Sequence, residues 1–281
     1  MAHAWLFGTV LFGLAASFSW GTGDFSGGLA SRRAHVFSVV VATYIVGMVL
    51  LPILALVWAE PLPSWRDTLW GASAGLVGTL GLTAFYRALA IGRMGITAPI
   101  TAVLAASLPI IFSAFTQGLP GPLRLAGFVL ALLSVALVSR PERALGRPEG
   151  LGLALLAGLG FGSFFILISQ ASTHAVYWPL ASARLVSLLF MIVFVRIRRE
   201  QMLPKKSVFP LILLAGSLDI AGNVFFILAA HAGRLDVATI LSSLYPAVTV
   251  LLAAIILRER VSRIQATGIA LALGAILLIS A

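Results

Sequence analysis

Apolar runs of about 20 residues recur along the whole chain, each long enough to cross the hydrocarbon core of a bilayer. A backbone in hydrocarbon must satisfy its own hydrogen bonds, so runs of this length read as helices. Composition agrees: of 281 residues, 60% are hydrophobic and 10% charged, with mean hydropathy +1.07. Soluble domains carry roughly 25% charged residues, which excludes an ordinary soluble protein. The sequence predicts an all-α integral membrane protein with ten transmembrane helices. The expected spans are 4–28, 36–58, 68–91, 95–117, 123–139, 150–171, 178–197, 208–231, 235–257 and 264–281. The first run has no basic region ahead of it and is too long for a cleaved signal, so it reads as the first span. Prolines punctuate several turns, while Ser64 or Asp67 is placed to cap the third helix and Ser207 the eighth.

The chain also matches itself when shifted by 141 residues. Gly21 falls on Gly162, Gly75 on Gly216, Gly81 on Gly222 and Phe85 on Phe226. The Gly92-Arg93 pair falls on Gly233-Arg234, and Leu130-Ala131-Leu132 on Leu271-Ala272-Leu273. This divides the chain into a first five-helix repeat, 1–140, and a second, 141–281, within one membrane domain. An odd number of spans per repeat makes the second copy enter from the opposite side. The expectation is therefore two inverted five-helix repeats around one midplane site.

Basic residues orient the bundle. The net charge of +10 sits in short turns, as topology signals, and implies no nucleic-acid partner. Turns 1, 3, 5, 7 and 9 hold most of the nineteen Lys and Arg, including Arg32, Arg33, Arg140, Arg143, Arg147 and the dense run from Arg196 to Lys206. Turns 2, 4, 6 and 8 hold only Arg66, Arg124 and Arg234. Odd turns are thus expected in the cytoplasm and both termini outside, in the cytoplasmic (inner) membrane. Trp5, Trp58, Trp65, Trp70 and Trp178 then form one outer aromatic belt.

The stretch TILSSLYPAVTVLLAAIILRERVSRIQATGIALALG, residues 239–274, holds a proline inside an apolar helix. Pro246 cannot donate a backbone hydrogen bond, and its ring pushes against the carbonyl four residues back. Beside Ser242, Ser243, Tyr245 and Thr249 it marks a loosened helix, read as a hinge that lines or gates a cavity. The alternative is a tolerated kink.

Ionisable residues within spans are functional candidates by default, because an unpaired charge in hydrocarbon is costly. There are four: Asp24, Arg87, Arg184 and Asp219. Asp219 lies near the middle of its span, with Asn223 one turn on and facing the same way. Asp24 and Arg87 sit at similar depths, and a pair between them would be either a lock or part of a working site. Arg184 could bind an anionic group or reach Asp219. Under the 141-residue shift Asp24 falls on Phe165, Asp219 on Gly78, Arg184 on Thr43 and Arg87 on Leu228. The scaffold is duplicated but its charges are not, which points to one asymmetric site. Trp20 lies inside the first span, in WGTGDFSGG, where no interface explains it.

Other chemistry is not signalled. The chain has no cysteine, and His3, His35, His174 and His231 show no ligand spacing, so no metal and no cofactor are expected. Nothing resembles a nucleophile elbow, a phosphate loop or a metalloprotease helix, so an enzyme is not expected.

Taken together, the ten spans, SSLYPAVTVLLA, RERVSRIQATGIALALG and WGTGDFSGGLASRR resemble an EamA-type transporter of the drug/metabolite transporter superfamily over essentially the full chain. The resemblance implies a basket of spans 1, 3, 4, 6, 8 and 9 around a central cavity, with spans 5 and 10 as supports. On that map Trp20, Asp24, Tyr86, Asp219, Asn223, Ser242, Ser243 and Tyr245 belong to cavity helices. The first repeat departs in having Ala105 where the second has Pro246. The expected function is a secondary transporter of a small metabolite or drug-like solute by alternating access, with proton coupling through Asp219 or Asp24 as one mechanism. The expected partners are that solute, membrane lipid and protons, with a monomer compatible and the oligomeric state open. The alternatives are an uncoupled facilitator, or a non-transporting scaffold or lipid-binding protein.

Overall fold

A computed structural model describes residues 2–91, 94–138, 150–171, 175–258 and 262–280. Arg93, Arg140, Arg143, Arg147, Arg260 and His174 lie outside the described residues. The chain order is α1 (Ala2–Arg33), α2 (Val36–Val57), α3 (Trp65–Ile91), α4 (Met94–Gln117), α5 (Pro122–Val138), α6 (Leu151–Ile168) and α7 (Tyr177–Arg198). A 3-10 turn, Lys206–Val208, precedes α8 (Phe209–Ala232), followed by α9 (Leu235–Ser242), α10 (Tyr245–Ile256) and α11 (Arg263–Ser280). No strand occurs among the described residues.

Seven segments are long and apolar enough to cross a membrane by length and composition. They are α2, α3, the part of α4 from Ile100, α6, α7, α8 with its preceding turn, and α9 with α10. The expected ten spans are therefore not all matched. In α1 the glycines, serines and threonines between Thr9 and Ser31 dilute an otherwise apolar run. The chain is a multi-pass membrane protein.

The helix starts follow local chemistry. At α3, Ser64 Oγ accepts from the Asp67 amide at 3.1 Å and donates to Asp67 Oδ2 at 2.8 Å, so both expected cap residues act together as a reciprocal box. Ser207 does not cap α8: it lies within the 3-10 turn, and Val208 occupies the cap position without a side-chain bond. The ninth apolar run is broken. Ser243 and Leu244 form a turn between α9 and α10, and Pro246 sits in the first turn of α10, where its missing donor has no partner to lose.

Packing repeats under the 141-residue register. α1 lies mainly on α8, and its counterpart α6 lies on α3, the counterpart of α8. α1 also packs on α9 and α10, as α6 does on α4, while α5 and α11 pair with each other. Glycines let these helices approach closely, as expected of small residues in membrane interfaces. A Cβ on Gly160 of α6 would lie 2.7 Å from Gly81 Cα of α3, and one on Gly158 would lie 2.9 Å from Thr101 O of α4. Gly71 and Gly75 of α3 leave equally little room beside Pro179 and Ala183 of α7.

Ties at the two ends of the bundle join the repeats. At the end carrying turns 2, 4, 6 and 8, the Glu60 carboxylate accepts from the amides of Val176 (2.9 Å), Tyr177 (3.0 Å) and Trp178 (2.9 Å). This caps α7 from the other half of the chain. At the opposite end His35 Nε2 lies 3.3 Å from Glu200 Oε2, and Ser38 Oγ donates to the Gln201 carbonyl.

Candidate functional site

A cavity lies between α1, α2, α3, α6, α7, α8 and α10, with about 610 Å³ of empty space counting its mouth. Trp20, Asp24, Tyr44, Gly78, Leu82, Phe161, Phe164, Phe165, Arg184, Asp219, Asn223 and Tyr245 line it. The basket implied by resemblance is corrected here: α2 and α7 contribute walls, and none of the described α4 side chains does. α4 is held off by α6, whose glycines lie directly against it.

The lining residues pair under the repeat. Trp20 corresponds to Phe161, Asp24 to Phe165, Asp219 to Gly78 and Asn223 to Leu82, and all eight face the same cavity. One cavity thus receives both copies of four positions. At three of them the polar or charged partner stands opposite an apolar residue or glycine.

Arg184 reaches Asp219 and forms an ion pair with its Oδ2, with side-chain exposures of 11% and 18%. The guanidinium carbon also lies 5.1 Å from the Tyr44 ring centroid, on a face that attracts cations. Gly47 clears space for the arginine stem, since a Cβ there would lie 3.1 Å from Arg184 Cδ. On the other side, Asn223 Nδ2 donates to the Asp219 carbonyl at 2.6 Å and to Oδ1 at 3.2 Å. Asp219 is therefore held by a cation and an amide, as a buried carboxylate requires.

Asp24 is different. It forms no ion pair among the described residues, and Asp219, Tyr86 and Tyr245 are within its electrostatic reach. The pair with Arg87 suggested by similar depth does not form: Arg87 is exposed on the outside of α3, away from the cavity. Depth along a helix does not fix the face. Tyr86 is buried with its ring against Gly27, behind the cavity wall. Ser242 and Ser243 are buried at the α9–α10 break but do not line the cavity; Ser243 Oγ donates to the Thr239 carbonyl at 2.7 Å. The hydroxyls of Thr239, Ser242 and Tyr245 are buried without a partner among the described residues.

Residues missed in the sequence include Tyr44, Phe161, Phe164 and Phe165. Trp20 stacks on Phe165 (5.3 Å between centroids), which meets Phe226 at 4.6 Å. The signal for Phe165 was available, because it is the repeat counterpart of Asp24. No group of three or more His, Asp or Glu able to hold a metal occurs among the described residues.

A clasp closes the end carrying the even turns. Arg234 donates to the carbonyls of Gln117 (3.2 Å), the last residue of α4, and Gly118 (2.7 Å), and to Asp236 Oδ2 at 2.8 Å. The bond to Asp236 raises the guanidinium above its ordinary pKa. Gly118 has φ +76°, a left-handed conformation that favours glycine.

The model of the EamA-like transporter family matches the chain twice, at residues 7–140 and 148–281. One solved crystal structure, of a protein given no further description, shares the fold with a TM-score of 0.73 and 20% identity, covering 96% of this chain and 95% of the other. None of the curated proteins matches significantly. With both repeats matched by its model, the chain belongs to the EamA-like transporter family, a membrane transporter of the drug/metabolite type.

Proposed function

We propose that the protein is a secondary carrier that moves a small solute across the cytoplasmic membrane by alternating access. In this reading ten spans form two inverted halves, 1–140 and 141–281, with both termini outside. The observation that carries it is the pairing of Trp20 with Phe161, Asp24 with Phe165, Gly78 with Asp219 and Leu82 with Asn223 around one cavity. A site on the axis relating two inverted halves presents the same walls to either side when the halves exchange conformations. A scaffold or lipid-binding protein has no need of buried charges at such a place.

Asp219 and Arg184 fix the site rather than carry the coupling ion, since each already satisfies the other. The coupling proton, if there is one, falls to Asp24. The test is flux in reconstituted vesicles, comparing metabolite mixtures with and without the protein and with and without a pH gradient. Saturable, protein-dependent flux is expected. Its absence for every solute class, in protein that melts cooperatively, would return the scaffold reading. Flux indifferent to pH would select the uncoupled facilitator.

A further inference from the structure

We infer that the cavity selects a monovalent organic cation, a protonated amine with an aromatic or apolar body, and that Asp24 is the carboxylate that receives its charge. The inference rests on the carrier reading above and names the substrate class of that same site.

Charge arithmetic leads to it. The cavity lining holds two carboxylates, Asp24 and Asp219, and one guanidinium, Arg184. Arg184 is committed to Asp219 and to the Tyr44 ring, so Asp24, when ionised, is the carboxylate left without a counterion. Removing a charge from water is unfavourable unless it is paired, and the penalty grows with each unpaired charge. A monovalent cation brings the lining to neutrality. A carboxylate substrate would raise the imbalance and meet Asp24 and Asp219 with no free cation to receive it. A zwitterion would leave the imbalance in place, and a dication would reverse it.

The walls beside Asp24 suit the rest of such a molecule. Trp20 is one turn before Asp24 on α1, stacked on Phe165, and Phe161 and Phe164 continue the aromatic surface. Aromatic faces attract ammonium groups and bury apolar bodies at the same time. Tyr245 lines the cavity at 3% exposure, and its hydroxyl has no partner among the described residues. It lies within electrostatic reach of Asp24. Its oxygen can accept a hydrogen bond from an ammonium bound at the carboxylate, which would satisfy a group the protein leaves unpaired.

Calorimetric titration of the full chain in lipid nanodiscs with three probes of matched shape tests this: 3-phenylpropylammonium, 3-phenylpropionate and 3-phenylpropanol. The cation is expected to bind at least tenfold tighter than the other two. Asp24→Asn should abolish that preference while the melting temperature stays within a few degrees, and Asp24→Glu should restore it. If Asp24→Asn does not fold, Tyr245→Phe should lower cation affinity several-fold and leave the alcohol unaffected. Equal affinity for all three probes, or a cation preference that survives Asp24→Asn, overturns the inference. Tighter binding of the acid or the alcohol overturns it and leaves the carrier reading standing. Absence of binding by all three overturns it too, and vesicle flux of other solutes then decides whether the carrier reading survives.

Discussion

α4 and the α9–α10 pair occupy the same register in the two repeats, yet one is continuous and the other is broken. Ala105 stands where Pro246 does, Leu104 where Tyr245 does, and Leu108 where Thr249 does. α4 runs unbroken from Met94 to Gln117 although it contains Pro99 and Pro109. Proline alone therefore does not produce the break. In α9–α10 the amide of Leu244 bonds to Leu241 O at 3.3 Å and that of Ala247 to Leu244 O at 3.0 Å, a three-residue pattern that tightens the chain before Pro246 starts a new helix. The consequence is positional. Leu104 packs against Gly158 of α6, whereas Tyr245 reaches the cavity wall. Duplication supplies two equivalent helices, and the broken copy is the one that brings a polar group to the site.

The largest test of this comparison is Ala105→Pro, which moves the break residue into α4. Ala105 is fully buried in the middle of the helix, so the lost hydrogen bond and ring clash should destabilise the protein by about 3 kcal/mol or more. A thermal melt in detergent unchanged from wild type would show that α4 can break as readily as its counterpart.

Next come the glycines beneath each copy. A Cβ on Gly21 would lie 2.5 Å from Tyr245 O and from Val248 Cβ, while one on Gly162 would lie 2.8 Å from the flexible end of Leu108 and 2.9 Å from Ala105 O. Both substitutions to alanine should destabilise by about 1–3 kcal/mol, with Gly21→Ala the more harmful because it meets backbone more closely. The reverse order in paired melting curves would show that the broken helix yields more easily.

A smaller effect belongs to Thr249, whose hydroxyl donates to Gly21 O at 3.0 Å and lies 3.2 Å from Tyr245 O. Thr249→Val removes that tie, which its counterpart Leu108 never makes, and should reduce stability by about 1 kcal/mol. A variant as stable as wild type would mean the tie contributes nothing to the junction.

The smallest stability change is expected for Pro246→Ala. Pro246 lies in the first turn of α10, where no helical hydrogen bond is lost to it, so the fold should hold within about 1 kcal/mol while transport slows more than binding weakens. Unchanged turnover in vesicles would separate the break from the transport cycle.

Much of this site is legible in the sequence because two independent periodicities constrain it. Hydropathy places Asp219 and Asn223 deep in a span, and the 141-residue register aligns Asp24 with Phe165, which the structure then brings to one cavity. What stays hidden is the azimuth of each residue about its helix. Arg87 and Asp24 share a depth, but only one faces inward. Tyr44 sits in a run of valines and alanines that looks like any lipid-facing stretch, and its value lies in a contact with Arg184, 140 positions away. The pairing of Arg184 with Asp219 depends on how α2 brings α7 and α8 together at Gly47, which no local pattern encodes. The break at Ser243 and Leu244 is partly visible as Pro246, but its place ahead of the proline depends on the turn hydrogen bonds.

The Glu60 cap has a consequence for how the protein is made. Three amides at the start of α7 are satisfied by a carboxylate 116 to 118 positions earlier in the chain. During synthesis that carboxylate has already emerged when α7 is threaded into the membrane, so the cap is waiting for its helix. A permuted gene that encodes residues 150–281 ahead of residues 1–140 would reverse the order. α7 would then arrive with its first turn uncapped and hold that state until the α2–α3 turn followed. The linear order of the two halves thus carries an assembly instruction that their near-equivalence in the finished bundle conceals.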